Sequence, residues 1–268
     1  MKDFKDKVVV VTGAGSGIGR ALALDFHNRG ARLALNDFDE EGLKATLALI
    51  DKDVYTEVFD VSKKEAMFEF ADNVSNHFGQ VDVVINNAGV ALSKGTTSEV
   101  TIEEYEWVLG INLWGMMYGS LAFLPFLRMQ EESSLVNISS IFGIHGIPGQ
   151  TAYCTSKFGI RGFTESLVIE EKLKKSNVHV ATVHPGGIKT NIARTAMESD
   201  NRSEEEIVEL EKAFITTPAK AAKRIINGIE RQKNRIIVGP DGMYLYLMTK
   251  LPHFISIWFI KRWGKELI

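Results

Sequence analysis

The sequence predicts a doubly wound α/β domain: one parallel sheet of about seven strands with helices on both faces. Three observations carry this reading. Short runs rich in Val and Ile recur along the chain, several are apolar on both faces, and longer amphipathic segments separate them. Runs apolar on both faces belong to strands buried from both sides, and alternation with helices makes the sheet parallel. The predicted strands are 8–11, 32–36, 55–59, 81–86, 135–139, 178–184 and 235–238. Ser62-x-x-Glu65 and Thr101-x-x-Glu104 have the form of capping boxes and are expected to start two of the helices. Neither an internal repeat nor a low-complexity linker divides the chain. The expected organisation is one domain over residues 1–242, followed by an apolar extension over 243–268.

The first strand runs into Thr12-Gly13-Ala14-Gly15-Ser16-Gly17-Ile18-Gly19, and a helix follows. Glycines permit a tight turn there and let backbone N–H groups approach a phosphate at the helix N-terminus. Gly13, Ser16, Gly17, Ile18 and Gly19 are therefore candidate cofactor-binding positions. The second strand ends at Asn36-Asp37, with Asp37 24 residues beyond Gly13. A carboxylate at that point can accept hydrogen bonds from ribose hydroxyls and repels a 2′-phosphate, which favours NAD over NADP. Arg20, a cation beside the turn, argues the other way.

Tyr153 and Lys157 lie four residues apart in a stretch that reads as helix, so they share a face. A fixed cation beside a phenol favours phenolate and lowers its pKa. Moving a tyrosine from ~10 to neutrality takes ~4 kcal/mol of differential interaction. A proton-transfer group works best with its pKa near the operating pH. Taken alone, the pair also fits one tyrosine and one lysine on a helix surface.

The bulk composition sets limits. The chain has 268 residues, 45% hydrophobic, and a formal net charge of −3, so no basic excess points to nucleic acid. Its one cysteine, Cys154, cannot form an internal disulfide and fits a reducing, cytoplasmic setting. The charged N-terminus lacks the layout of a secretory signal. No run of 18 residues is apolar without interruption, so a spanning helix is not expected. His27, His77, His145, His179, His184 and His253 form no cluster with Cys or acids at ligand spacing, so no metal is expected.

With the glycine turn and the Tyr153/Lys157 pair together, the chain resembles the short-chain dehydrogenase/reductase family, from about Lys7 to Gly239. Thr12 to Gly19 matches its TGxxxGxG turn, and Asn86-Asn87-Ala88-Gly89 its NNAG motif. The resemblance implies a Rossmann-like fold and an oxidoreductase exchanging hydride between NAD(H) and an alcohol or carbonyl compound. It implies that Asn112, Ser140, Tyr153 and Lys157 are catalytic, with Tyr153 as general acid/base and Asn112 holding a water that leads from Lys157 to solvent. It implies that Asp60 and Val61 contact the adenine, that Asn87, Ala88 and Gly89 line the cofactor, and that Pro185, Gly186, Ile188 and Thr190 run past the nicotinamide. Ser139 neighbours Ser140, and the thirteen-residue spacing to Tyr153 favours Ser140.

Substrate selection is expected from 91–97, 141–150 and 188–214, whose apolar residues fit a lipid- or steroid-like secondary alcohol. Ser203-x-x-Glu206 with the apolar residues after it reads as a capped helix that could serve as a lid. In the tail, Pro252 should break any helix in two, and aromatic residues beside Lys261 and Arg262 fit packing on the core, on another subunit or on a membrane surface. The expected partners are a small alcohol or carbonyl substrate and further copies of the chain, as a dimer or tetramer. Two other classes stay open at this stage: an NADP(H)-dependent carbonyl reductase, and a dinucleotide-binding regulator or lipid-binding protein without turnover.

Overall fold

A computed structural model of the chain describes residues 1, 3–51, 54–92, 96–190 and 214–263. Its sheet has seven parallel strands in the order β3-β2-β1-β4-β5-β6-β7. They are β1 (Val8–Thr12), β2 (Arg32–Asp37), β3 (Tyr55–Val58), β4 (Val83–Asn86), β5 (Ser133–Ile138), β6 (Val178–Pro185) and β7 (Arg235–Val238). The described helices are α1 (Gly17–Asn28), α2 (Glu40–Leu47), α3 (Lys64–Phe78), α4 (Ile102–Leu109), α5 (Met116–Arg128), α6 (Thr151–Leu173), α7 (Pro218–Glu230), α8 (Pro240–Met248) and α9 (His253–Trp263). The order reverses between β1 and β4, and the crevice beyond their C-terminal ends is where such sheets bind ligands.

The two-sided burial of β1 shows why the sheet forms. Val9 and Val11 join Leu33, Leu35 and Ile85 in a core closed by α1 and α7. Val8 and Val10 join Val84, Leu135 and Val180 in a second core, closed by α3, α5 and α6. Branched side chains on both faces fit a pleated, covered strand and leave no polar face for water.

Two boundaries depart from expectation. α3 starts at Lys64, after Lys63, with no side-chain cap. Ser62 instead gives its hydroxyl and its backbone N–H to Asp60, at 2.8 and 2.9 Å. This local turn competes with the capping box read at Ser62 and Glu65. The box at Thr101 and Glu104 forms as expected. β4 begins two residues later than predicted, at Val83. The Asp82 carboxylate instead accepts from the Val8 N–H at 2.8 Å and from Lys7 at 2.9 Å, stapling the start of β1.

α4 and α5 join through a π-helical segment, Gly110–Gly115, into one continuous helix. That helix, Ile102–Arg128, is long and apolar enough to cross a membrane by length and composition, which the sequence reading did not anticipate. Half of its most apolar stretch is buried inside the fold.

A buried polar network sets α6 against the sheet. Asn86 on β4 donates to Asn137 on β5 at 2.8 Å and to Ser120 on α5 at 3.1 Å. Asn137 donates to Thr164 on α6 at 3.0 Å. At the far end of α6 the almost fully buried Glu171 takes a two-point contact from Arg128 of α5. This contact holds the Glu171 carboxyl below its ordinary value. A depressed carboxyl pKa adds stability above its unfolded value of about 4.5, and that stability is lost as pH falls below it. Glu171→Gln is therefore expected to lower stability at pH 7 and to flatten the loss of stability between about pH 5 and 3. Urea melts across that range read the outcome; parallel pH profiles for parent and variant would contradict it.

Candidate active site

The site grows from the crevice between β1 and β4. Gly13 and Gly17 both have positive φ, +66° and +50°. A Cβ on Gly19 would run into the Gly13 carbonyl oxygen. Only glycines allow this path. Ser16 precedes α1 in extended conformation, makes no side-chain cap, and no acid sits in the first turn. The first N–H groups of α1 are thus left for an anion, with the positive end of the helix dipole behind them. Ile18 packs at the edge of the core beneath the turn.

Thr12 ties this turn to the neighbouring strand exit. Its hydroxyl accepts from the N–H groups of Asn87 and Ala88 at 3.0 and 3.1 Å. The Asn87 amide donates back to the carbonyls of Thr12 and Gly13, at 2.9 and 3.1 Å. Asp37 closes the other side, accepting from the Gly15 N–H at 2.7 Å and from the Asp39 N–H at 3.0 Å. An ionised carboxylate has about four acceptor positions, so acceptor capacity remains. Arg20 is occupied: it donates to the carbonyls of Gly15 and Gly42 and, at 2.9 Å, to the Thr46 hydroxyl. Val61 is buried and packs on Gly115, where a Cβ would fall 2.7 Å from a Val61 methyl. Asp60 beside it holds the turn into α3.

The four candidate catalytic residues converge from three elements. Asn112 sits in the π-helical segment, fully buried. Its side chain accepts from the Val90 N–H at 2.8 Å and donates to the Val90 carbonyl at 2.9 Å and to Ser156 at 3.0 Å. Ser140 lies beyond β5, its hydroxyl accepts from the Phe142 N–H at 3.2 Å, and it stands near enough to Tyr153 on α6 to favour the phenolate. Ser139 is engaged elsewhere, donating to the Lys157 carbonyl at 2.8 Å. Lys157 is 3% exposed, and its ammonium donates to the Ile138 carbonyl at 3.2 Å, 5.4 Å from the centre of the Tyr153 ring. Gly89 lets these groups meet. A Cβ there would stand 3.1 Å from the Asn112 oxygen and 3.3 Å from the Lys157 nitrogen.

The electrostatics differ from the sequence expectation. In the chain alone, burial pushes the Tyr153 phenol up to about 12, against a smaller lowering by the neighbouring Ser140. Burial also pushes the Lys157 ammonium down to about 8. The lowering expected from Lys157 does not contribute to this shift, and burial opposes the charged form of both groups.

Further residues take part that the sequence did not single out. His184, the residue before Pro185, is fully buried and bonds the Ser140 carbonyl through Nδ1 at 2.9 Å. Burial pushes its imidazole down to about 4, so it is neutral at pH 7 and donates that bond. Gly186 pairs with Val238, and Gly187 donates its N–H to Asp241 at the start of α8. Ile188 is buried and bridges to Thr216, and the Thr190 side chain lies against Gly17 of the phosphate turn. Asp241 adjoins a glycine in the sequence, which is the one hint the chain carries of its role, whereas Thr12 already belongs to the TGxxxGxG turn. The lid expected around Ser203 and Glu206 lies outside the described residues.

Comparison with known proteins agrees with this geometry. The family model of the short chain dehydrogenases matches residues 7–201. SadH of Mycobacterium tuberculosis, an oxidoreductase by name, is 40% identical over 256 residues, covering 94% of this chain and 92% of SadH. Levodione reductase of Leifsonia aquatica is 33% identical over 217 residues, 77% of this chain and 80% of the reductase. Among solved structures, a short chain dehydrogenase/reductase of Burkholderia phymatum in complex with NAD superposes with a TM-score of 0.86 at 28% identity, covering 95% of each chain. The seven-stranded parallel sheet, the glycine turn at its switch point and the family match over most of the length place this chain in the short-chain dehydrogenase/reductase family of oxidoreductases.

Proposed function

We propose that the protein transfers hydride between NAD(H) and an apolar secondary alcohol or its ketone, with Tyr153 as general acid/base. The observation that carries this is the gathering of Ser140, Tyr153, Lys157 and Asn112 beside the crevice, with the Lys157 ammonium 5.4 Å from the Tyr153 ring and Gly89 leaving room between Asn112 and Lys157. The dinucleotide, when bound, gives or takes the hydride. The chain handles the proton and the position of the substrate oxygen. Ser140 can donate to a carbonyl or accept from an alcohol, so it suits both directions. Tyr153, protonated in the chain alone, is ready to donate to a ketone oxygen as hydride arrives. Taking a proton from an alcohol requires phenolate, and the Lys157 ammonium favours that form once the site holds a charge to balance.

Several features support NAD over NADP. Asp37 stands at the end of β2, and the nearby Arg20 is committed to two backbone carbonyls and Thr46. The apolar substrate reading rests on Ile141, which is buried, and on Phe142, whose ring meets Tyr153 edge-on at 6.1 Å. Self-association has a face to use, since Trp114, Leu121, Phe158 and Ile169 are exposed along the long helix and α6. The buried Cys154, whose thiol burial pushes up, suits a reducing, cytoplasmic setting.

Tyr153→Phe is expected to lower turnover by about 10²–10⁴-fold, the usual weight of a general acid/base, and to leave NADH affinity unchanged. A panel of alcohols and ketones graded in length and polarity supplies the substrate. A variant that keeps most of its rate would rule out this mechanism.

Fluorescence titration is expected to give tighter binding of NADH than of NADPH. Asp37→Asn keeps an acceptor for the Gly15 N–H and removes the charge. It should narrow the gap about tenfold, the factor that corresponds to ~1.4 kcal/mol. An unchanged preference would place cofactor selection elsewhere.

A further inference from the structure

The C-terminal elements carry apolar and basic groups in excess of what the fold uses. Pro252 separates α8 from α9, as the sequence predicts. On α8, Met243 and Leu247 are exposed at i and i+4 and share a face, and Leu251 is exposed just beyond the helix. On α9, Phe254, Ile257 and Trp258 are exposed at i, i+3 and i+4, with Phe254 73% and Trp258 58% accessible.

The charge of this region is opposite to that of the whole chain. Between positions 214 and 263 there are nine Lys and Arg and two acids, Glu230 and Asp241, in a protein of net charge −3. Neither acid neutralises the face. Glu230 pairs with Arg29 at 2.5 Å, and Asp241 accepts from Gly187. A surface pocket on α7 and β7 is lined by Arg224, Arg231, Lys233 and Arg235, and Met243 of α8 closes its rim. Glu165 takes Arg235. Among the described residues, Arg224, Arg231, Lys233, Lys261 and Arg262 form no ion pair. The basic pocket and the α8 stripe meet at Met243, which belongs to both, and the Tyr246 ring on the same helix lies 5.9 Å from Arg235 and 5.1 Å from Lys250.

We propose that α8 and α9, with the basic pocket beside them, dock on the surface of a bilayer containing anionic phospholipid. Exposed aromatic side chains suit the boundary between headgroups and acyl chains, and neighbouring Lys and Arg are drawn to anionic phosphates. The apolar stripes enter the acyl boundary, and the pocket and the Lys261–Arg262 pair meet headgroup phosphates. A span is not implied, because nine and eleven residues fall short of the roughly 20 a crossing needs. A second copy of the chain fits less well. A two-fold contact would set this face against itself and bring its unpaired cations together.

The test is flotation of the full-length chain with vesicles of phosphatidylcholine alone and of phosphatidylcholine mixed with phosphatidylglycerol. The protein is expected to float with the anionic vesicles and to stay behind with the neutral ones. Lys261→Ala and Arg262→Ala should each weaken binding about fivefold, and the paired variant Phe254→Ser with Trp258→Ser should abolish it. NADH affinity and the circular dichroism of each variant should match the parent. If the apolar variant fails that control, the two charge variants decide alone. No binding by the parent, equal binding to both vesicles, or full binding by the charge variants would overturn the proposal. So would light scattering in which the apolar variant halves the mass of a parent that does not bind vesicles. A parent that binds anionic vesicles but turns over no alcohol would leave this inference standing and defeat the catalytic reading instead.

Discussion

The buried ammonium of Lys157 is the constraint around which the site is built. Removing an ion from water costs several kcal/mol even after relaxation, so each neighbour must either bond it or make room for it. The chain does both. Ile138 on β5 gives a carbonyl, and Gly89 beyond β4 gives space that any Cβ would occupy. Ser139 holds the lysine's own carbonyl, and a Cβ on Gly143 would strike both groups of that bond. The residual cost shows as the fall of the ammonium to about 8, still largely charged at neutral pH. Burial raises the neighbouring Tyr153 phenol at the same time, so both groups bear the cost of the dry site.

Fixing that cation requires fixing α6, and the means lie in the layers beneath it. The Asn86–Asn137–Thr164 chain of hydrogen bonds runs from β4 through β5 into α6. In a low-dielectric interior such a network is strong when satisfied and costly when slipped, so it sets register as well as stability. The π-helical segment has a related task. It carries Asn112, whose side chain pairs with both backbone groups of Val90 as a strand neighbour would. The exit of β4 and the long helix are therefore held edge to edge, with Lys157 at their junction.

These dependencies explain how much the sequence disclosed. The strands were legible because burial on both faces writes itself as runs of Val and Ile, as in 8–11 and 178–184. The glycine turn and Asp37 were legible because a phosphate approach admits few residue types. Ser62 misled because serine suits a capping box and an aspartate turn equally well, and only the placement of Asp60 decides between them. The phenol's pKa misled because sequence shows a charge four residues away but not the loss of water around both groups. His184 and Asp241 were missed because each works through a backbone group, and backbone partners leave no signature in residue identity.

Asp241 also bears on how the tail relates to the site. It is the second residue of α8, and its carboxylate takes the N–H of Gly187 in the segment that follows β6. A Cβ on Gly186 would collide with the same carboxylate, and Gly239 reaches α8 at a φ of +91°, open only to glycine without strain. Three glycines thus press the start of the tail against the strand exit. The two elements cannot shift separately without losing a bond in a tightly filled space. The apolar helices that begin at Pro240 are consequently joined to the crevice by this seam. Whatever surface holds α8 therefore also sets the orientation in which the crevice faces it.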